Sequence, residues 1–167
     1  MDATRGKDVD AALGQLRQAS SALAPARARV VACAVARRHL AVLSGDAGPL
    51  PALVDLVLER GSLAAADLEG LDAVFDELHA GIDPDRLDAM DRRRALGVLR
   101  LALASCAEPP GVTLFDVVRA ALGSRALRHP SVTDEERAAE REELRRRWAW
   151  DAVQDEVRWL DAAVAAG

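Results

Sequence analysis

The stretch Pro25-Ala-Arg-Ala-Arg-Val30-Val-Ala-Cys33-Ala-Val35-Ala-Arg-Arg-His39-Leu-Ala-Val-Leu43 reads as one helix, and it sets the character of the chain. Pro25 fits a first helical turn, where its missing N–H costs nothing. Val30, Val31, Ala34, Leu40 and Leu43 supply an apolar face at helical spacing, with alanines filling the gaps. The run Val30–Ala36 is the longest uninterrupted apolar stretch, and it is too short for a hydrocarbon core that needs about 20 residues.

The same pattern continues on both sides. Upstream, Asp8–Leu23 reads as a first helix with Val9, Leu13 and Leu16 on one side. Downstream, Ser44–Pro51 is a loop by its turn chemistry. Leu53, Val54, Leu56, Val57 and Leu58 then make a third helix, apolar nearly all round and so placed at the centre, with Gly61 as its stop. Leu68, Leu71, Phe75 and Leu78 recur at three and four on a helix that Ser62 or Asp67 could cap and Gly81 ends. Asp83-Pro84 opens a fifth helix, with a core stripe of Leu87, Met90, Leu96, Leu99 and Leu103 running to Cys106. Arg92-Arg93-Arg94 reads as a break or bend in it. Pro109-Pro110-Gly111 is a hard stop. Thr113 caps a sixth helix carrying Leu114, Val117, Val118, Ala121 and Leu122. Thr133 and Glu136 have capping-box spacing, and beyond them a long C-terminal helix runs almost to Gly167.

Composition agrees with this reading. Among 167 residues there are 35 Ala and 23 Leu against 16 Val and one Ile, and aromatics are 3%. Ala and Leu lead the helix scale, whereas β-branched and aromatic residues lead the strand scale. The expected fold is all-α: a single-domain bundle over 1–167 of about six to seven helices with a long C-terminal helix, and with 1–7 as a disordered lead. The helices near Leu53–Arg60 and Arg94–Cys106 are expected at its centre.

Three segments resemble a known family. They are Ala34-Val-Ala-Arg37-Arg-His-Leu with Leu53-Val-Asp55-Leu-Val-Leu-Glu59, then Arg94-Ala-Leu-Gly-Val-Leu-Arg-Leu-Ala-Leu103, then His129-Pro130-Ser-Val-Thr-Asp-Glu135-Glu-Arg-Ala-Ala-Glu140. Together they resemble the YjaG-like family, small all-helical bacterial proteins classed as a domain of unknown function. The resemblance covers roughly residues 23–150. The chain departs from the family in lacking aromatics in its first long helix, and in having Arg141-Glu-Glu-Leu-Arg-Arg-Arg147 where the family's final helix carries Gln. The resemblance implies a fold and no activity.

The chemistry-bearing residues are scattered. Cys33 and Cys106 each sit in an apolar stretch and read as buried, reduced thiols. His39, His79 and His129 lie in different segments, none at a metal-ligand spacing. No phosphate loop or nucleophile elbow is present. No catalytic residue, metal or cofactor is therefore assigned. Arg outnumbers Lys by 21 to one and Asn is absent, as codon bias from a GC-rich genome would produce. The N-terminus lacks the charged-then-apolar order of a signal peptide, so a cytoplasmic location is expected.

Charge is distributed unevenly. The whole chain carries −5, yet residues 67–91 hold nine acidic side chains and only Arg86 as a base. Such a block is either balanced within the chain by Arg92–Arg94 and their neighbours or is a surface for a basic partner. Glu69, Asp72 and Asp76 recur at three and four on the helix whose other side is Leu68, Leu71, Phe75 and Leu78, and are the candidate partner-binding residues. Trp150 joins them. It falls about 200° from Trp148 on a helix, so Trp148 and Trp159 pack inward while Trp150 is free to anchor a contact, including one in a homodimer.

The function expected is a non-enzymatic bacterial protein–protein interaction module, such as an immunity or regulatory protein, binding a basic protein partner through an acidic helix. The alternative is a small helical enzyme or ligand-binding bundle. A nucleic-acid regulator ranks last, since only Arg92–Arg94 and Arg145–Arg147 could form a basic face and the net charge opposes it. One consequence is direct: the chain should melt at the same midpoint with and without a chelator and a reductant. A drop of more than a few degrees with chelator would reveal a structural metal.

Overall fold

The computed structural model describes residues 3–126 together with Asp155, Arg158, Trp159 and Ala162. The regular elements are α1 (Ala3–Ala22), α2 (Pro25–Leu43), α3 (Leu50–Arg60), α4 (Ala65–Leu68), α5 (Leu71–Ala80), α6 (Ala89–Ser105) and α7 (Leu114–Ala126). The expected all-α class holds.

α2 and α6 form the central pair. Cys106, at the C-terminal end of α6, places its Sγ 3.9 Å from the Arg29 carbonyl near the start of α2. At the other end, Arg92 reaches the Leu43 carbonyl at 3.1 Å. The two helices are therefore antiparallel. Their buried residues include Val31, Ala32, Val35 and Ala36 on α2 and Ala95, Leu96, Val98, Leu99, Ala102 and Leu103 on α6. Alanines at the contact let the axes approach while the larger side chains interlock. α7 packs on α6 and α2, α1 packs on α7, α3 packs on α2, and α5 packs on α6.

Local chemistry explains most boundaries. α2 begins at Pro25 and ends at Leu43, as expected, with Ser44 in the left-handed region as its C-cap. Gly61 adopts φ +87° and donates its N–H to the Val57 carbonyl at 2.7 Å, closing α3. Thr113 and Asp116 cap α7 reciprocally: the Asp116 carboxylate accepts from the Thr113 N–H at 2.9 Å, and Thr113 Oγ1 accepts from the Asp116 N–H at 3.3 Å. Leu63 and Ala107 meet in an isolated bridge, which ties the segment after α3 to the one after α6.

Several expectations are corrected. α1 begins at Ala3, ahead of Asp8, because no proline or cap interrupts residues 3–8. α3 starts at Leu50, inside the expected loop, since Pro51 is tolerated in a first turn. It is not central: only its α2-facing side is engaged, so Val54 and Val57 are buried while Leu58 is exposed. α2 takes its place beside α6, and the buried face of α2 is turned so that Val30 is exposed.

The helix expected to carry Leu68 through Leu78 is broken. Gly70 sits at φ +76° and Glu69 is extended, separating α4 from α5. A side chain at that φ would be strained, so glycine permits the break. The helix expected from Asp83 starts only at Ala89. Asp83 Oδ1 accepts from the Asp85 N–H at 3.0 Å, a turn that competes with helix. Leu87 and Met90 consequently lie outside the core stripe, with Leu87 fully exposed. Arg92-Arg93-Arg94 causes no break, and α6 runs through it.

Of the expected long C-terminal helix only Asp155, Arg158, Trp159 and Ala162 are described; Trp148 and Trp150 lie outside the described residues. Trp159 is half-buried against the core, with the Arg38 guanidinium 4.9 Å from its ring centroid. Packing thus separates residues that helical spacing had grouped. Leu99→Ala should cost about 2–5 kcal/mol as a large-to-small core change, whereas Leu87→Ala should stay within about 0.5 kcal/mol of the parent. Urea melts of the two variants check this.

Candidate functional site

A cleft of about 490 Å³ opens between the α2–α3 loop, α5 and the turn leading into α6. Leu43, Val74, Leu78, Ile82 and Leu96 supply its apolar lining, and Asp46, Glu77, Asp83, Arg86 and Arg92 its charged groups. Among the described residues, no Ser, Thr, Cys or His lines it.

Arg92 organises one wall. It is 5% exposed, and burying a guanidinium requires that its donors be satisfied. Its Nε donates to Asp88 Oδ2 at 2.8 Å, and its Nη1 donates to both Asp46 Oδ2 and the Leu43 carbonyl, each at 3.1 Å. The Leu43 carbonyl, at the end of α2, also accepts from the Asp46 N–H at 3.1 Å, so Arg92 is its second donor and sets a positive charge at the negative end of that helix. Arg86 makes a forked contact with Asp88, Nε to Oδ1 at 2.8 Å and Nη2 to Oδ2 at 3.2 Å. Hydrogen bonds from Arg86 and Arg92 hold the Asp88 carboxyl well below the usual carboxylate range.

Both arginines of the cleft are thus already neutralised. Of the cleft carboxylates, Asp46 is spent on Arg92 and two others are not. Glu77 and Asp83 are exposed, and among the described residues no basic side chain lies within 4 Å of either. The site carries surplus negative charge around an apolar floor, a combination that suits a cation with an aliphatic stem.

The candidate residues from sequence fall in different places. Glu69 is the extended residue after α4 and does not share a helix with the other two, because Gly70 intervenes. Asp72 and Asp76 are exposed on one flank of α5. Asp72 is ion-paired with Arg100, whose guanidinium also lies 5.4 Å from the Phe75 ring centroid. Glu77 is turned about 100° from Asp76 and lines the cleft. Trp150 lies outside the described residues.

Internal balance accounts for part of the acidic block. Asp67 pairs with Arg60 at 3.5 Å, Asp91 with Arg94 at 3.6 Å, and Asp88 with two arginines. Glu69, Asp76, Glu77, Asp83 and Asp85 have no such cation among the described residues. The Asp76-Glu77 pair and the cluster Asp83, Asp85 and Asp88 were visible in sequence as carboxylates. Asp46 carried no signal, since its role depends on Arg92, far along the chain.

Comparison with protein-family models, with curated proteins and with solved structures finds no match for this chain. The functional reading therefore rests on its own geometry.

Acid should act on the Arg92 knot. Asp88 has a folded pKa below its unfolded value near 3.9. Its stabilising contribution is present above about pH 4 and is lost as pH falls through the folded value. Asp88→Asn should therefore lower stability at neutral pH and flatten the loss between about pH 4 and pH 2. Melting curves of parent and variant across that window would reveal parallel acid losses if Asp88 were uncoupled from folding.

Proposed function

We propose that this chain is a non-enzymatic protein–protein interaction module of the bacterial cytoplasm, an immunity or regulatory protein that receives a basic partner at the acidic cleft and the neighbouring face of α5. One observation carries the reading: Glu77 and Asp83 stand uncompensated above an apolar floor, while the arginines beside them are occupied. A partner Lys or Arg would lay its aliphatic stem on Leu78 and Ile82 and bring its head to the carboxylates. Asp76 and Glu69 extend the negative field and would steer a basic surface toward the cleft. The resemblance to the YjaG-like family adds an expected shared fold to this reading and no activity.

A second reading is favoured by the concavity itself. Its volume lies within the range of small-ligand pockets, roughly 300–1,000 Å³, so a small organic cation is the alternative occupant.

The test uses the full chain and its Glu77→Gln/Asp83→Asn variant. The probes are an amphipathic Leu/Lys peptide, the same peptide with Glu for Lys, and an alkyl diamine. The Lys peptide alone should bind the parent, weakening with salt, and the variant should bind it about tenfold more weakly, or 1.4 kcal/mol. Saturable binding of the diamine without the peptide would move the reading to a small ligand. Equal binding of both peptides, or no loss in the variant, would overturn it.

A further inference from the structure

The two cysteines, set 73 positions apart in sequence, are brought to one place by the α2–α6 contact. Both are buried free thiols, 2% and 1% exposed. Cys106 Sγ lies 3.9 Å from the Arg29 carbonyl. That carbonyl belongs to the turn just before Cys33 on α2, the turn over which a Cys33 side chain leans, because helical Cα–Cβ bonds tilt toward the N-terminus. Cys33 Sγ in turn lies 3.9 Å from the Val54 carbonyl of α3. Cys106 is thereby packed against the α2 turn that leads into Cys33. The Cys106 thiol and burial push the Cys33 thiol up, while Cys33 pulls Cys106 down, aided by Ser105 and the nearby Arg29 charge.

We propose that Cys33 and Cys106 form a thiol–disulfide modification site, oxidised by hydroperoxides to a covalent staple between α2 and α6. The location supports reversible access. Cys106 is the C-cap of α6. It is covered by the segment Leu63 belongs to, held by the Leu63 N–H to Cys106 carbonyl bond at 2.9 Å and the Glu108 N–H to Leu63 carbonyl bond at 3.0 Å. Arg29 fastens the same corner through the Gly61 carbonyl at 3.2 Å and Glu108 at 3.4 Å. Opening this strap breaks the Leu63 backbone bonds and the Arg29 contacts and withdraws Leu63, itself fully buried, so peroxide reaches the thiols by local opening.

The chemistry balances with hydrogen peroxide as oxidant. The Cys106 thiolate attacks one peroxide oxygen; the S–O bond forms, the O–O bond breaks, and hydroxide leaves and takes up the thiol proton as water. Cys33 then attacks the sulfenic sulfur of Cys106; the S–S bond forms, the S–O bond breaks, and a second water leaves with the Cys33 proton. Sulfur loses two electrons in total and peroxide gains them.

The experiment treats the reduced, folded chain with hydrogen peroxide, removes the oxidant with catalase, and follows intact mass, thiol titration in denaturant and a non-reducing peptide map. The expected product is monomeric, lighter by two hydrogens, without titratable thiols, with the Cys33 and Cys106 peptides joined, and restored by dithiothreitol. Cys33→Ala should instead leave a Cys106 sulfenic acid that dimedone traps, and Cys106→Ala should leave Cys33 unreacted over the same time. Circular dichroism establishes that each variant is folded. Retention of both thiols in the parent, oxidation of either cysteine without a joined peptide, or a cross-link only between chains would each overturn the proposal. None of these outcomes depends on the cleft or its occupant.

Discussion

The antiparallel contact of α2 with α6 is the constraint on which the other elements depend. A helix buried on several sides must carry small residues where it meets a neighbour closely and large ones where it fills the space between helices. α6 does this with Ala95 and Ala102 among Leu96, Leu99 and Leu103, and α2 answers with Ala32 and Ala36 beside Val31 and Val35. α7 and α5 then find positions against α6, and α3 against α2. Peripheral helices need only one apolar side, and this is why Leu58 on α3 can face outward.

Polar groups at the two ends of this pair are treated differently. At one end Arg92 enters the core edge and is fully engaged by Asp88, Asp46 and the last carbonyl of α2. That engagement pins the α2–α3 loop to the start of α6 and so shapes one wall of the cleft. At the other end Cys106 packs against the α2 turn that leads into Cys33, beneath a strap joined through Leu63. The first end presents negative charge to solvent; the second conceals nucleophiles. A single packed pair of helices thereby positions both features of chemical interest.

The acidic block takes on meaning only through this arrangement. As a string of carboxylates it could equally be a solvated face or an internal counter-charge. Asp67, Asp72, Asp88 and Asp91 serve as counter-charges, to Arg60, Arg100, Arg86 with Arg92, and Arg94. The carboxylates of this block left over among the described residues are Glu77 and Asp83 at the cleft, Asp76 on α5, and Glu69 and Asp85 in the flanking turns.

The amino-acid sequence by itself determined the helical class and the punctuation that depends on local chemistry: Pro25 opening α2, Gly61 closing α3, and Thr113 opening α7. These signals act within a few residues, so no distant partner is needed to read them. Periodicity also identified Leu96, Leu99 and Leu103 as core. It failed at Leu87 and Met90, where an Asp83-centred turn displaced the helix start, and at Glu69, where a left-handed Gly70 divided one expected helix into two. Only the tertiary structure decided which helices are central, which carboxylates are spent on arginines, and that Cys106 packs beside the turn leading into Cys33. Each of those depends on contacts between residues tens of positions apart. Such contacts are set by how helices dock, and docking leaves no periodic trace in the chain.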